Sequence, residues 1–467
     1  MTLWSTWCSV TAPLRVACNR ERNFLWLLTA LAGICARPDL LGVTSIVRAL
    51  GLAARSYQRL LGFFHSAGVD LEVLTGRWVQ IALERFTPHR LGGLLVLLAD
   101  GLKVPKSGRK MPAVKRLHQV SDSNTKPEYI RGHSLQVVSL LVCAASTFLA
   151  VPLAARIHEG VKFTNRDQRT LPEKLTTLID SLALKEPFVL IADAYYACAT
   201  VALWALERGA VLISRVRRNA VAYEPAVPPP GPRKRGRPRR YGQKLKLREL
   251  FEASSEPWQE ADSPVYGERE VTLRYLCRDL MWRPLRRVVR FVLVIHPTRG
   301  RCIFISTDLT MAALDIIGGY GLRFKIELSF KQALRVIGAY QYHFWMRGMQ
   351  LLSRRSGNQH LHRKSERYRN AVRRKLAAYH LHIQVGLIAQ GLLQYLAITH
   401  PREVWASFGS WLRTIRHELC PSELVAAAAL RNALPEFLAD SANSPNLQKF
   451  LRSHIDPELS EPLRLAG

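Results

Sequence analysis

Apolar side chains recur in different rhythms along this chain of 467 residues. Up to about residue 90 the spacing is helical. In "GVTSIVRALGLAARSYQRLLGFFHS", residues 42–66, two short amphipathic segments flank Gly51. Thr44 or Ser45 is placed to cap the first, and Tyr57, Leu60, Leu61 and Phe64 line one face of the second. The pair resembles a helix-turn-helix, whose second helix enters a DNA groove. From residue 91 the runs become short and almost wholly apolar, as in strands buried on both faces. "LGGLLVLLAD" (91–100) ends in Asp100, and "PFVLIADAYYA" (187–197) carries Asp193 where its apolar run stops. Between them the pattern predicts a basic loop over 103–116 and two strands within 134–157 that turn near Ala145-Ser146. A helix over 168–185 follows. After Asp193 come a helix through 195–208 and a strand over 210–216. That order predicts an α/β domain with a mixed sheet.

Further strands are predicted within 265–306. Leu309, Ala312, Ala313, Ile316 and Ile317 then give one helical apolar face, which Gly318-Gly319 is expected to interrupt. The rest reads as helix with a loose tail after 455. Two stretches imitate membrane or export signals. "FLWLLTALAGICA" (24–36) follows Arg20 and Arg22 but lacks a clean cleavage motif, and 134–155 is broken by Ser, Gln, Thr and Pro152. The expectation is a protein without a membrane, in the cytoplasm. The eight cysteines form no CxxC pair, so neither a zinc site nor a disulfide framework is indicated.

Charge narrows the partners. Lys and Arg number 67 against 36 Asp and Glu, a formal +31. Such an excess calls for a polyanion, and nucleic acid is the usual one. The excess is local as well as global. Nine Lys/Arg and no acid fall within 231–248, and ten Lys/Arg with the single Glu366 within 347–375. The first stretch holds "RKRGRPRR", Arg233 to Arg240, a segment suited to a narrow minor groove. Strands on its C-terminal side make it part of a β-rich insertion.

Two aspartates at the ends of buried strands, with a glutamate on a nearby helix, are a donor set for Mg²⁺ and phosphodiester chemistry. Hard oxygens hold the ions, which activate an attacking oxygen and stabilise a leaving one. Glu327 supplies the third carboxylate, in "GLRFKIELSFKQALRVIGAY" (321–340), where Arg323, Glu327 and Lys331 share a helical face. An ordinary surface ladder gives the same spacing.

In "LLADG", "LIADAYY" and "ISTDLT…YGLRFKIELSFKQA" the chain resembles the DDE transposases of bacterial insertion sequences. Those enzymes have an RNase H-like core interrupted by a β-rich insertion between the second Asp and the Glu. Asp100 and Asp193 are 93 residues apart, and Asp193 and Glu327 are 134 apart. The long second gap resembles that insertion. Tyr320, Arg323 and Glu327 match the family's tyrosine, arginine, glutamate and lysine signature. Leu334 stands at the lysine position, leaving Lys331 or Arg335 as substitutes.

The resemblance implies a helical DNA-binding domain over 1–90 and a core over 91–217 and 306–350. It also implies a basic β-rich insertion over 218–305 and a basic helical C-terminal region over 351–467. Asp100, Asp193 and Glu327 would be catalytic and ligate Mg²⁺, for which Mn²⁺ substitutes. Tyr320, Arg323, Lys331, Arg233, Lys234, Arg235, Arg237, Arg239 and Arg240 would contact DNA, and Trp345 or Trp282 would stack an unpaired base. The implied activity is cleavage of double-stranded DNA at the element's inverted-repeat ends by a metal-activated water. Joining of the 3′-hydroxyl to target DNA follows, by a homodimer in the bacterial nucleoid. The alternatives are a domesticated, non-catalytic DNA-binding protein and an RNase H-fold nuclease that only hydrolyses.

Overall fold

The computed structural model describes residues 2–119, 127–145, 147–227, 239–253, 256–409, 415–440 and 446–458. Its centre is a mixed sheet that reaches 14 strands among these residues. The core strands are β1 (Leu94–Pro105), β2 (Tyr129–Ala144), β3 (Thr147–Ile157), β4 (Phe188–Ala192) and β5 (Val211–Arg215). They lie in the order β3-β2-β1-β4-β5, with β1, β4 and β5 parallel to one another and β2 antiparallel to both its neighbours. This is an RNase H-like α/β core. β1 and β4 are central, so Leu95 to Ala99 and Val189 to Ala192 are stripped of solvent on both faces. That explains their unbroken apolar sequence.

The sheet then continues outward through the insertion. β6 (Val221–Pro225) and β7 (Tyr241–Lys246) form an antiparallel pair on either side of "RKRGRPRR". Strands β8 (Thr272–Trp282), β9 (Arg287–His296) and β10 (Gly300–Ser306) form a meander. β10 pairs with β5, so core and insertion share one hydrogen-bonded sheet. Of the basic segment, Arg233, Lys234, Arg235 and Arg237 lie outside the described residues; Arg239 and Arg240 are exposed on the approach to β7.

Several expectations need correction. β1 does not stop at Asp100 but runs five residues further to Pro105, held by β2, so part of the expected loop over 103–116 is strand. Another part, Lys115–His118, pairs with β2 as well. Neither Thr44 nor Ser45 caps the helix at 42–49: it begins at Gly42, and the Ser45 hydroxyl donates to the Gly42 carbonyl inside it. Gly318-Gly319 does not interrupt the helix Ala313–Gly321. Instead a Cβ at Gly319 would meet Leu91, Ile191 and Ile213, so the small residue lets this helix lie close on β4 and β5.

The N-terminal helices, including Glu21–Ala36, Arg55–His65 and Leu71–Arg85, wrap around the 34-residue helix Glu366–Thr399. This is the one helix among the described residues long and apolar enough to cross a membrane, and 89% of its apolar window is buried inside the protein. Two features bind this helical shell to the core. Buried Arg37 donates to the carbonyls of Gly42, Ile337 and Gly338 and to Ser45 Oγ. Gly386 lies so close to Ala339 that a Cβ would come within 2.5 Å of its Cα. Gly386→Ala is therefore expected to lower stability by about 1–3 kcal/mol through overpacking against backbone, read as a lower Tm; an unchanged Tm would refute this close approach.

An aromatic cluster of Tyr342, Phe344, Tyr379, His133 and His382 fills the junction. Both histidines are fully buried, and burial pushes each pKa from the ordinary value near 6.5 down to about 3. His133 is satisfied as a neutral ring by Pro112 O and the Tyr342 hydroxyl, while His382 uses Nδ1 to donate to Ala339 O. The unfolded rings protonate below about 6.5 and the folded ones do not, so their contribution is complete above that pH. It is lost as pH falls from 6.5 toward 3, by up to about 1.4 kcal/mol per unit and histidine. Urea midpoints between pH 7.5 and 5.5 should fall less steeply for His382→Asn, which keeps a donor for Ala339 but cannot titrate. Equal slopes would contradict the assignment.

Candidate active site

The register of the central strands brings the two aspartates together. Ala99 of β1 faces Ala192 of β4 across a parallel pair, and the next residue in each strand direction is Asp100 and Asp193. Asp100 lies within a strand instead of a turn, and the helix after β4 is capped at Cys198, not by Asp193. Asp193 Oδ1 instead accepts the Tyr195 N–H at 3.0 Å, which fixes the turn leaving the sheet.

Glu327 arrives from the helix Phe324–Gln332, packed beside β1 and β3. Arg323, the residue before this helix, reaches both carboxylates. Its Nη1 donates to Asp100 Oδ2 at 2.8 Å and its Nη2 to Glu327 Oε1 at 2.5 Å. The Arg323 and Asp100 side chains are each 18% exposed, whereas Glu327 is 55% exposed. The face expected to carry a charge ladder thus turns one rung inward, onto the core aspartate.

Burial raises the Asp100 pKa to about 6; Arg323 and the Gly101 N–H oppose the rise, and the charge of Asp193 adds to it. Burial disfavours the Arg323 cation, yet Asp100, Tyr320 and Glu327 outweigh it and hold its pKa above the ordinary value. Tyr320 is tucked against Phe304, its ring 5.9 Å from the Arg323 guanidinium carbon, and burial raises its pKa.

As oxygen donors on one sheet edge, Asp100, Asp193 and Glu327 suit a hard divalent cation. Among the described residues, however, no three His, Cys, Asp or Glu side chains stand close enough to enclose an ion. Arg323 is set between Asp100 and Glu327 and provides their countercharge.

The remaining expected residues divide by position. Lys331 and Arg335 are exposed, one turn and two turns beyond Glu327. Leu334 packs against the core within the π-helical turn Ala333–Ile337 that follows the helix. Trp282 is core, and Trp345 is 65% exposed. Two residues escaped the sequence reading. Tyr196 is buried beneath Asp100 and Asp193, whose charges reinforce the upward shift that burial gives its hydroxyl. Arg215, at the end of β5, lines with Arg299, His296, Tyr266, Tyr320 and Arg323 a cleft of about 390 Å³ between core and insertion. "LISR" repeats the motif of an apolar run ending in a charged residue, which was the available signal for Arg215.

No curated protein matches the chain. The family model described as DDE superfamily endonuclease matches residues 14–280, which include Asp100 and Asp193 and end before Glu327. With a match over more than half of its sequence and an RNase H-like core, the chain belongs to the DDE superfamily endonucleases.

Proposed function

We propose that this endonuclease is the transposase of a bacterial insertion sequence, one that cuts double-stranded DNA at its element's ends and joins the 3′-hydroxyl to target DNA. The observation that carries the reading is that adjacent strands set Asp100 beside Asp193 in register, while Arg323, which lines a basic cleft, pairs Asp100 with Glu327. Asp100, Asp193 and Glu327 would hold Mg²⁺ or Mn²⁺. When bound, the cation supplies Lewis acidity toward water and the phosphodiester. For Asp100 and Glu327 to share it, Arg323 must exchange at least one of its two ion pairs, which frees guanidinium donors for the phosphate. Tyr320 and the sheet edge hold Arg323 nearby for that role. The N-terminal helices of residues 1–90, the insertion of 218–305 and the C-terminal basic stretch supply the DNA-binding surface of a homodimer. Lys331, exposed one turn after Glu327, takes the signature lysine's part in place of Leu334.

Asp100→Asn, Asp193→Asn and Glu327→Gln should each abolish Mg²⁺-dependent cleavage of a duplex bearing the element's ends while binding persists. Their effects should not add, because each removes part of one shared site. Robust cleavage by any of the three would sink the assignment. A transposase also yields joined 3′-ends; release of nicked or cut DNA alone would favour the hydrolytic nuclease.

The basic residues separate by stability. Arg323→Ala should lose cleavage and lower the Tm, because it strands the mostly buried Asp100 without its partner. Lys331→Ala should reduce cleavage with the Tm unchanged, as expected of an exposed side chain. If Lys331→Ala cleaves normally and Arg335→Ala does not, the substitute is Arg335.

A further inference from the structure

A second pocket, of about 380 Å³, opens beside the catalytic cleft at the seam between core and insertion. Three pieces of chain build it: the end of β5 with Arg215 and Arg218, the 3₁₀ turn Leu247–Phe251 with Arg248 and Phe251, and the start of β10 with Arg301. No acid lines it. Arg301 is paired with Glu252 and lies over the Phe251 ring at 5.4 Å. Among the described residues, Arg215, Arg218 and Arg248 make no ion pair. The planar forks of such guanidinium groups match phosphate oxygens. The apolar wall, Val216 and Ile303 with the Phe251 ring, suits the sugar or base attached to such a phosphate.

The position ties the pocket to catalysis. Arg215 and Cys302 line both this pocket and the catalytic cleft. Ser214, the residue before Arg215, donates its hydroxyl to the Asp193 carbonyl at 2.8 Å. One residue of β5 thus separates the catalytic edge from the arginine cluster.

We infer that Arg215, Arg218, Arg248 and Arg301 bind a backbone phosphate of the DNA strand that passes through the catalytic cleft, with Phe251 packing against the adjoining nucleoside. The inference rests on the nucleic-acid substrate proposed above. It adds a strand-holding subsite that the linear basic motif does not contain.

The test is equilibrium binding of a fluorescent duplex by the full chain without divalent metal, across a range of salt. Arg218→Ala/Arg248→Ala, two exposed positions, should weaken binding and flatten the log–log salt slope by about 0.9 for each phosphate that is no longer neutralised. Phe251→Leu, which keeps the apolar volume, should weaken binding without changing the slope. Unchanged affinity and slope in both variants would overturn the site, even if the wild type cleaves DNA as proposed. If the variants lose binding as expected but the wild type never cleaves, the subsite stands and the nuclease reading falls. A calorimetric arm uses inorganic phosphate alone. Phosphate binding that Arg218→Ala/Arg248→Ala abolishes, with duplex affinity unaltered, would assign the pocket to a small free anion and overturn the strand assignment.

Discussion

Asp100 is a carboxylate that a buried strand has carried to the rim of its core, and the Arg323 guanidinium is what makes this tolerable. A carboxylate so shielded from water is costly without a charged partner. The partner comes from far along the chain and binds a second carboxylate with its other nitrogen. This one side chain therefore sets the helix of Glu327 against the edge of β1 and β4. The same pairing ties the Asp100 and Glu327 carboxylates to one guanidinium.

Around that ion pair the chain is organised to hold the helix of Glu327 in place. Its far end runs into a π-helical turn, and the carbonyls there, of Ile337 and Gly338, are gripped by buried Arg37 from the N-terminal helices. Gly386 of the long C-terminal helix touches the next residue, Ala339. Three distant parts of the sequence thus meet directly behind the helix of Glu327. On the other side, β10 pairs with β5, so the insertion is an extension of the catalytic sheet and not an appendage. A sheet of hydrogen-bonded neighbours transmits position with little slack.

The positive charge finds a geometric expression in the same region. Counted along the sequence, the arginines of 231–240 dominate. In space, Arg215, Arg218, Arg248 and Arg301 come from three separate segments to line one pocket. A shared phosphate would meet several of these side chains at once.

Much of this protein is written locally. Apolar runs without alternation marked β1 and β4, because only a strand covered on both faces can do without polar positions. Those runs placed Asp100 and Asp193 beside a core before any pairing was known, and the helical spacing put Arg323, Glu327 and Lys331 on one face. Tertiary structure decided the rest. That Ala99 and Ala192 share a register, so that the aspartates are neighbours, depends on β1 and β4 pairing across nearly a hundred residues. That Arg323 turns inward while Lys331 stays exposed depends on what packs beneath the helix, which periodicity does not contain. The glycine pair at 318–319 shows the limit most plainly. Read alone it is a helix breaker, but against β4 and β5 it is the clearance that lets a helix lie close. Local pattern determines which faces are apolar and which residues carry charge; which faces meet is settled only when distant segments compete to cover them.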